Sequence, residues 1–429
     1  GNCFSADLVR ACREGRLAEA DIDRAVSRIL RLKFKMGLFD NPYVKVKKAE
    51  KLIGTSGHRE VAREVARQSV VLLKNENQLL PLSKEVKRVA VIGPNADNVY
   101  NQLGDYTAPQ APGSVITVLE GIRQKLPGAE VRYVKGCAVR DTLDTSIGEA
   151  CETAKNSDVV VVVLGGSSAR DFETDFLETG AAVANERKVS DMESGEGFDR
   201  IGLSLMGKQV ELLKALYATG RPVVLVMVQG RPLELNWAAE HIPAILTTWY
   251  PGGEGGRAIA DVLFGDYNPA GRLPLSYPRH VGQLPVYYNH KSAERHDYVE
   301  GTAAPLYPFG FGLSYTTFVY EGIDVRVEGD SVRVSVDVKN VGGRAGDEVV
   351  QLYLRDEQAS VVTPFMQLKA FQRVHLTSGE SRRVEFVITE EHLRVLDTSL
   401  NWRVEPGWFT VMIGASSQDI RQRTRFRID

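Results

Sequence analysis

The stretch "DVVVVVLGG", Asp158 to Gly166, constrains the fold more than any other part of the 429-residue chain. A run of valines without polar alternation needs apolar cover on both faces, the situation of a strand inside a parallel sheet. Three further runs read the same way: "RVAVIG" (Arg88 to Gly93), "PVVLVMVQG" (Pro222 to Gly230) and "PAILTTWYPGG" (Pro243 to Gly253). Each ends in small or turn-forming residues. Amphipathic stretches such as "GKQVELLKALYATG" (Gly207 to Gly220) lie between them and supply covering helices. The pattern predicts an α/β domain with a mainly parallel sheet. Ligands of such sheets bind where the loops collect, past the carboxyl ends of the strands.

The chain changes character on either side. From about Thr316, "SVRVSVDVKN", "DEVVQLYLRD", "SRRVEFVIT" and "GWFTVMIGAS" alternate apolar and polar residues between turn signals. That predicts an antiparallel sandwich of roughly a hundred residues. The joining segment "PLYPFGFGLSYTTF" (Pro305 to Phe318) is rich in aromatics and is expected to pack on a surface rather than float as a linker. Gly1 to Lys48 reads as helix, turn and helix. Asp21 is expected to cap "IDRAVSRILRLKFKMGLF", where Ile22, Val26, Ile29, Leu30 and Phe34 recur at helical spacing, and Gly37 to stop it. So short a segment with so few apolar partners cannot make its own core, and it reads as the tail of a larger domain.

Composition removes several function classes. The hydrophobic fraction of 43% and charged fraction of 25% are ordinary for globular proteins. A net charge of -2 gives no electrostatic case for nucleic acid or an anionic membrane as partner. No apolar run approaches the roughly 20 residues that span a bilayer. Cys3, Cys12, Cys137 and Cys151 form no CxxC pair and read as free buried thiols. The seven histidines show no HxxxH or HxxE grouping, so a metal site is not expected.

One loop is unusual. "SDMESGEGFDRIGLSL" (Ser190 to Leu205) holds Asp191, Glu193, Glu196 and Asp199 close together, and its two glycines argue against a helix. It follows the strand ending at Leu164 and precedes the helix at Gly207, among the loops at the ligand-binding edge. Composition alone favours a solvated acidic loop. The chemical alternative is glycoside hydrolysis with retention, which needs two carboxyl groups about 5 Å apart, a nucleophile and an acid/base. The acid/base must take a protonated form and reach the leaving oxygen. A loop at the rim of one domain can bring that group to a nucleophile on another. "PGGEGG" (Pro251 to Gly256) lacks the lysine and spacing of a phosphate loop and reads as a tight strand-to-helix turn. The polar stretch Ala169 to Asp191 reads as a lid or an insertion.

Taken together, several motifs resemble the family 3 glycoside hydrolases, the β-glucosidase and β-xylosidase family. "IDRAVSRILRLKFKMGLFDNPY" is similar to the closing helices of that family's barrel, and "AREVARQSVVLLKNENQLLPL" to the start of its second, α/β sandwich domain. "WYPGGEGGRAIADVLFGDYNPAGRLPLSYP" and "YPFGFGLSYTTF" resemble two of its most recognisable stretches; "LKAFQRVHL" and "EPGWFTVMIGASS" resemble its fibronectin type III-like domain. Met206 departs from the proline common at the following helix start, and "VTPFMQLKAF" lacks an arginine often found before its proline.

The resemblance implies three parts: residues 1–48, a short helical remnant of a (β/α)8 barrel; 49–304, an α/β sandwich domain carrying the acid/base loop; 305–429, the connection and a fibronectin type III-like β-sandwich. It puts the acid/base on Glu196, within "SGEGFDR", with Glu193 the alternative. Phe198 either stacks on the sugar or leaving group or simply anchors the loop. Asp199 and Arg200 are expected to pair with each other or the backbone. Tyr106, in "NQLGDYT", either contacts the aglycone or packs as a surface tyrosine. The family's nucleophile is an aspartate on the barrel, which these residues do not include, so the barrel is expected on another chain or fragment. The resemblance implies β-glucosidase activity on β-linked oligosaccharides or aryl and alkyl glycosides, with a β-xylosidase and a non-catalytic carbohydrate-binding fragment as alternatives. It leaves room for a homodimer and an extracytoplasmic location.

Overall fold

The computed structural model describes residues 6–170, 191–197, 199–291 and 297–429. Most of the stretch read as a lid, and Phe198, lie outside them. The chain divides into two compact units, one ending at Glu60 and the other beginning at Val61.

The first unit holds helices Ala6–Arg13, Glu19–Lys35 and Val46–Leu52, none of which buries a residue. Ile29, Phe34, Tyr43 and Ile53 are among its exposed large apolar side chains. Asp21 is not the cap: Ala18 occupies that position, and Asp21 sits in the first turn, 2.5 Å from Arg24. An acid there still opposes the helix dipole favourably.

The second unit is built on a six-stranded sheet: β1 (Val71–Asn75), β2 (Arg88–Ile92), β3 (Glu130–Val134), β4 (Val159–Gly165), β5 (Val223–Val228) and β6 (Ala244–Trp249). The order across it is β1-β6-β5-β4-β2-β3. All neighbours are parallel except β1, which runs antiparallel beside β6. The four apolar runs form β2, β4, β5 and β6. Every residue of β4 and β5 is buried, as two-sided cover requires. One core packs helices Ile147–Lys155, Gln209–Tyr217 and Asn236–His241 on one face; the other packs Val118–Lys125 and Gly255–Leu263 on the opposite face.

"PGGEGG" serves packing. A Cβ on Gly121 would lie 2.1 Å from the carbonyl oxygen of Gly256, and one on Gly256 1.9 Å from that of Thr117. Two helix backbones therefore touch where side chains would hold them apart. Behind this crossing, Asp261 has no exposed surface and receives Arg63 (2.8 and 2.9 Å), Arg67 (2.8 Å) and Lys125 (2.5 Å). Burial raises its pKa, but the hydrogen bonds and charges of Lys125, Arg67 and Arg63 outweigh that and hold it below the usual aspartate range.

Two antiparallel sheets follow. Strands β7 (Phe318–Glu328), β8 (Ser331–Asn340) and β11 (Ser381–Thr389) form one in the order β11-β8-β7. Strands β9 (Gly346–Asp356), β10 (Gln367–Leu376), β14 (Gly407–Gly414) and β15 (Ile420–Ile428) form the other, as β10-β9-β14-β15. A short pair, β12 (Val395–Leu396) and β13 (Trp402–Arg403), lies outside both. Alternate residues of the two sheets fill a common core. The aromatic connection does pack down. The Leu313 amide bonds the Leu72 carbonyl at 2.8 Å, and Tyr277 and Tyr307 exchange backbone contacts. Arg272, from the α/β part, meets Glu348 of β9 at 3.0 Å with both side chains nearly enclosed, and the Tyr320 hydroxyl donates to the other Glu348 oxygen at 2.7 Å.

Asp261 gives a stability test. Asp261→Asn leaves three cations without their shared carboxylate and is expected to lower unfolding stability by about 3 kcal/mol at neutral pH. Because the folded pKa is depressed, the carboxylate's contribution is present above the ordinary value near ~3.9 and fades as pH falls through the folded one. In urea titrations the gap between parent and variant should therefore be full at pH 7 and shrink below pH 4. A gap that does not change with pH refutes this account.

Candidate active site

The sheet order sets where a site forms. Strand β2 lies between β3 and β4, so the chain leaving β2 turns toward one side and the chain leaving β4 toward the other. The loops diverge at that switch, and the space between them opens at the strands' carboxyl ends. A buried polar network ties the two loops together. Asn95 Nδ2 donates to the Gly166 carbonyl at 3.0 Å, Asn101 Nδ2 to Asn95 Oδ1 at 2.8 Å, and Ser167 Oγ to Asn101 Oδ1 at 2.7 Å. Gln209, fully buried, both accepts from the Gly165 amide and donates to its carbonyl, each at 2.9 Å.

The acidic loop is anchored on this frame, and its four acids do different work. Asp191 accepts from the amides of Val139 (2.9 Å) and Arg140 (2.7 Å). The Glu193 amide donates to the Ser167 carbonyl at 2.8 Å. Glu193 is 3% exposed, and its side chain lies over Gly166, where a Cβ would come 1.9 Å from Oε1. There it pairs with the Arg200 guanidinium, which also donates to the Ser204 carbonyl. Asp199 accepts from the Arg200 amide and meets Arg231 Nη1, each at 2.7 Å. The expected pairing of Asp199 with Arg200 thus holds only through the Arg200 backbone; the guanidinium goes to Glu193. Burial pushes the Glu193 carboxyl above the ordinary glutamate range, against the pull of Arg200.

Glu196 stands apart from these anchors. Its carboxylate is half-exposed and takes no part in an ion pair among the described residues. The Tyr106 hydroxyl donates to Glu196 Oε2 at 3.2 Å, and Arg170 holds the Glu196 backbone carbonyl. Tyr106 is not a packed surface tyrosine: it is 83% exposed, with a left-handed backbone (φ 59) whose amide donates to Asp105 at 2.8 Å. The hydrogen bond to Glu196 is the main cause raising the Tyr106 hydroxyl above the usual tyrosine range, so it remains a donor. Glu196 and Tyr106 line an open depression of about 590 Å³ together with Asp105, Ser168, Asp199 and Arg231.

Sequence reasoning missed Asp105, Ser168, Arg170, Arg231 and Tyr250. Ser168 accepts from the Asp105 amide at 3.1 Å and bonds Tyr250, which leaves β6 at the same edge. Ser168 and Arg170 lie just past β4, Arg231 just past β5 and Tyr250 just past β6, which is a usable signal; Asp105 lies in the longer loop between β2 and β3.

The fold defines a class: an α/β domain on a mainly parallel sheet, followed by an antiparallel β-sandwich. Residues 70–315 match the glycosyl hydrolase family 3 C-terminal domain, and residues 348–417 a fibronectin type III-like domain. The chain belongs to glycosyl hydrolase family 3. It is 42% identical to a β-xylosidase of Formosa agariphila, covering 92% of this chain and 54% of that protein. It is 37% identical to a periplasmic β-glucosidase of Salmonella typhimurium, covering 98% and 57%. Among solved structures, a β-glucosidase from Erythrobacter marinus superposes with a TM-score of 0.85 at 39% identity, over 98% of this chain and 57% of that one. A Listeria innocua β-glucosidase in complex with laminaribiose gives 0.83 at 34%, over 100% and 57%. The chain therefore spans about half the length of the curated relatives it matches.

The anchoring of the loop is testable without a substrate. Arg200→Met strands a buried carboxylate and is expected to destabilise by about 3 kcal/mol, with faster amide exchange across residues 191–201 while β5 stays protected. Combining it with Glu193→Leu should recover much of that loss, because the uncompensated charge is gone. Strictly additive losses would mean the pair is not coupled.

Proposed function

We propose that this chain carries the acid/base half of a retaining β-glycosidase that removes terminal non-reducing β-D-glucosyl residues from β-glucosides or oligosaccharides. Glu196 protonates the leaving oxygen in the first step and activates water in the second. The observation that supports this most is the contrast among the four acids. Asp191, Glu193 and Asp199 are spent on anchoring, and Glu196 presents its carboxylate to an open depression at the switch point. Tyr106 orients that carboxylate and stands where an aglycone would pass. Phe198, which lies outside the described residues, is in this reading a contact for the leaving group. Glu193 is a poor alternative, since its carboxylate is enclosed and committed to Arg200.

The nucleophilic aspartate is assigned to a barrel domain outside the residues of this sequence. The uncovered apolar side chains of Glu19–Lys35, such as Ile29 and Phe34, fit burial against such a domain. No cofactor enters the reaction. A β-xylosidase is the second reading, supported by the 42% identical relative that carries that name.

The test uses Glu196→Gln and Glu196→Ala in protein that includes the nucleophile. Turnover of alkyl glycosides should fall by about 10²–10⁴-fold, the usual worth of positioned acid/base catalysis. Aryl glycosides with a good leaving group should keep a fast first step, and azide should restore turnover of the Ala variant as a glycosyl azide. Equal loss on both substrate classes, with no azide product, moves the role away from Glu196. Saccharide binding without turnover in the parent protein favours a non-catalytic module. Glucoside against xyloside preference is read from the same assay.

A further inference from the structure

The β-sandwich carries a second depression, remote in sequence from the acidic loop, whose chemistry the proposed reaction does not use. It measures about 490 Å³, within the range of small-ligand sites, and lies where β10 meets the segment leading into β12 and β13. Lys369 of β10 sits half-buried inside it. Among the described residues no carboxylate pairs with Lys369. Burial and the charge of its neighbour Arg394 both push the ammonium below the ordinary lysine range. A half-buried cation beside a second cation is an unfavourable arrangement that an anion would relieve.

Arg394 is only partly neutralised. Its nearest acid is the exposed Glu391 at 3.4 Å, and its guanidinium lies 5.0 Å from the centre of the Trp402 ring. Trp402 itself is 59% exposed, with Val362 beside the same depression. Thr363 and Gln367 add neutral hydrogen-bonding groups to the lining. Lys291 and Glu391 also line it, Glu391 being the acid that meets Arg394, so the site offers Lys369 and Arg394 at close quarters, an apolar and aromatic wall, and neutral donors and acceptors, with one carboxylate among its lining.

We infer that this depression binds an acidic saccharide, with the carboxylate of a uronic acid residue between Lys369 and Arg394 and the ring against Trp402. A uronate supplies each element the lining calls for: one carboxylate for the two cations, a C–H face for the indole, and hydroxyls for Thr363 and Gln367. A bare inorganic anion would leave the apolar wall unused, and an uncharged sugar would leave the cations unrelieved. The inference concerns binding alone and does not depend on Glu196 or on turnover.

Calorimetric titration of the full chain tests it with a glucuronate-containing disaccharide, its carboxyl-reduced neutral form, benzoate and sulfate. The uronate should bind, its affinity should fall as sodium chloride rises, and the other three should bind at least about tenfold more weakly. Lys369→Gln, Arg394→Gln and Trp402→Ala should each weaken uronate binding by about tenfold with unchanged circular dichroism. Glu196→Gln should bind it as the parent does. Equal affinity for the neutral disaccharide, equal affinity for benzoate or sulfate, or no uronate binding at millimolar concentration overturns the assignment. If a single variant misfolds, the salt dependence and the ligand series on the parent chain still decide.

Discussion

Burial of β4 and β5 on both faces is the constraint on which the second unit is organised. A strand with no exposed side cannot carry reactive side chains along its length, because each would be sealed in a core. Chemistry is displaced to the ends, and the parallel arrangement gathers those ends on one edge. The place of β2 between β3 and β4 then separates two loops at that edge. The Asn95, Asn101 and Ser167 network fills the base of the gap with satisfied hydrogen bonds. The gap is therefore rigid at its floor and open above it.

A rigid floor allows a glycine-broken loop to hold one carboxylate in a defined place. Gly197 adopts φ 93, a conformation that side-chain-bearing residues avoid, and lets the chain turn between Glu196 and Asp199. A loop with that freedom needs fixed ends. The enclosed Glu193–Arg200 pair supplies one, and a pair so buried is a weak source of net stability. Its consequence is geometric: moving the loop requires separating two desolvated charges. Asp199 with Arg231 and Asp191 with the 139–140 amides restrain the remaining directions.

The parts of the fold that were legible in the sequence are those where side-chain pattern and burial coincide. The valine run of β4 has no other use than a two-sided strand. β1 and β3 were harder because both are edge strands. "EVRYV" mixes exposed and half-covered positions, and "VLLKN" runs antiparallel next to β6, which no local pattern reveals. In the sandwich, β11 alternates cleanly, whereas β10 and β15 carry arginine, glutamine and histidine at exposed and half-buried positions. The acid loop was legible as a candidate, and the motif likeness singled out Glu196. The partners were not, because Arg200 reaching back to Glu193 and Arg231 reaching to Asp199 depend on how separate strand ends converge. Asp21 failed for a smaller reason: an acid is nearly as well placed in a helix's first turn as at its cap.

The separation between anchoring and presenting acids also bears on how much chemistry one such module can supply. Positioned proton transfer contributes about 10²–10⁴-fold, whereas glycosidic bond cleavage with retention requires a second carboxyl about 5 Å away as nucleophile. Around Glu196 the nearby acids are Asp105 and Asp199, and each is engaged: Asp105 by Arg170 and the Tyr106 amide, Asp199 by Arg231. A carboxylate held by a guanidinium has its charge stabilised and is a weaker nucleophile for it. Asp191, Glu193 and Asp199 are thus engaged by amides or guanidinium groups, and Glu196 is the acid of the loop without such a partner at its carboxylate among the described residues. On the proposed reading, the reaction needs a carboxylate from elsewhere, and the open side of the depression is where that carboxylate and the sugar would enter.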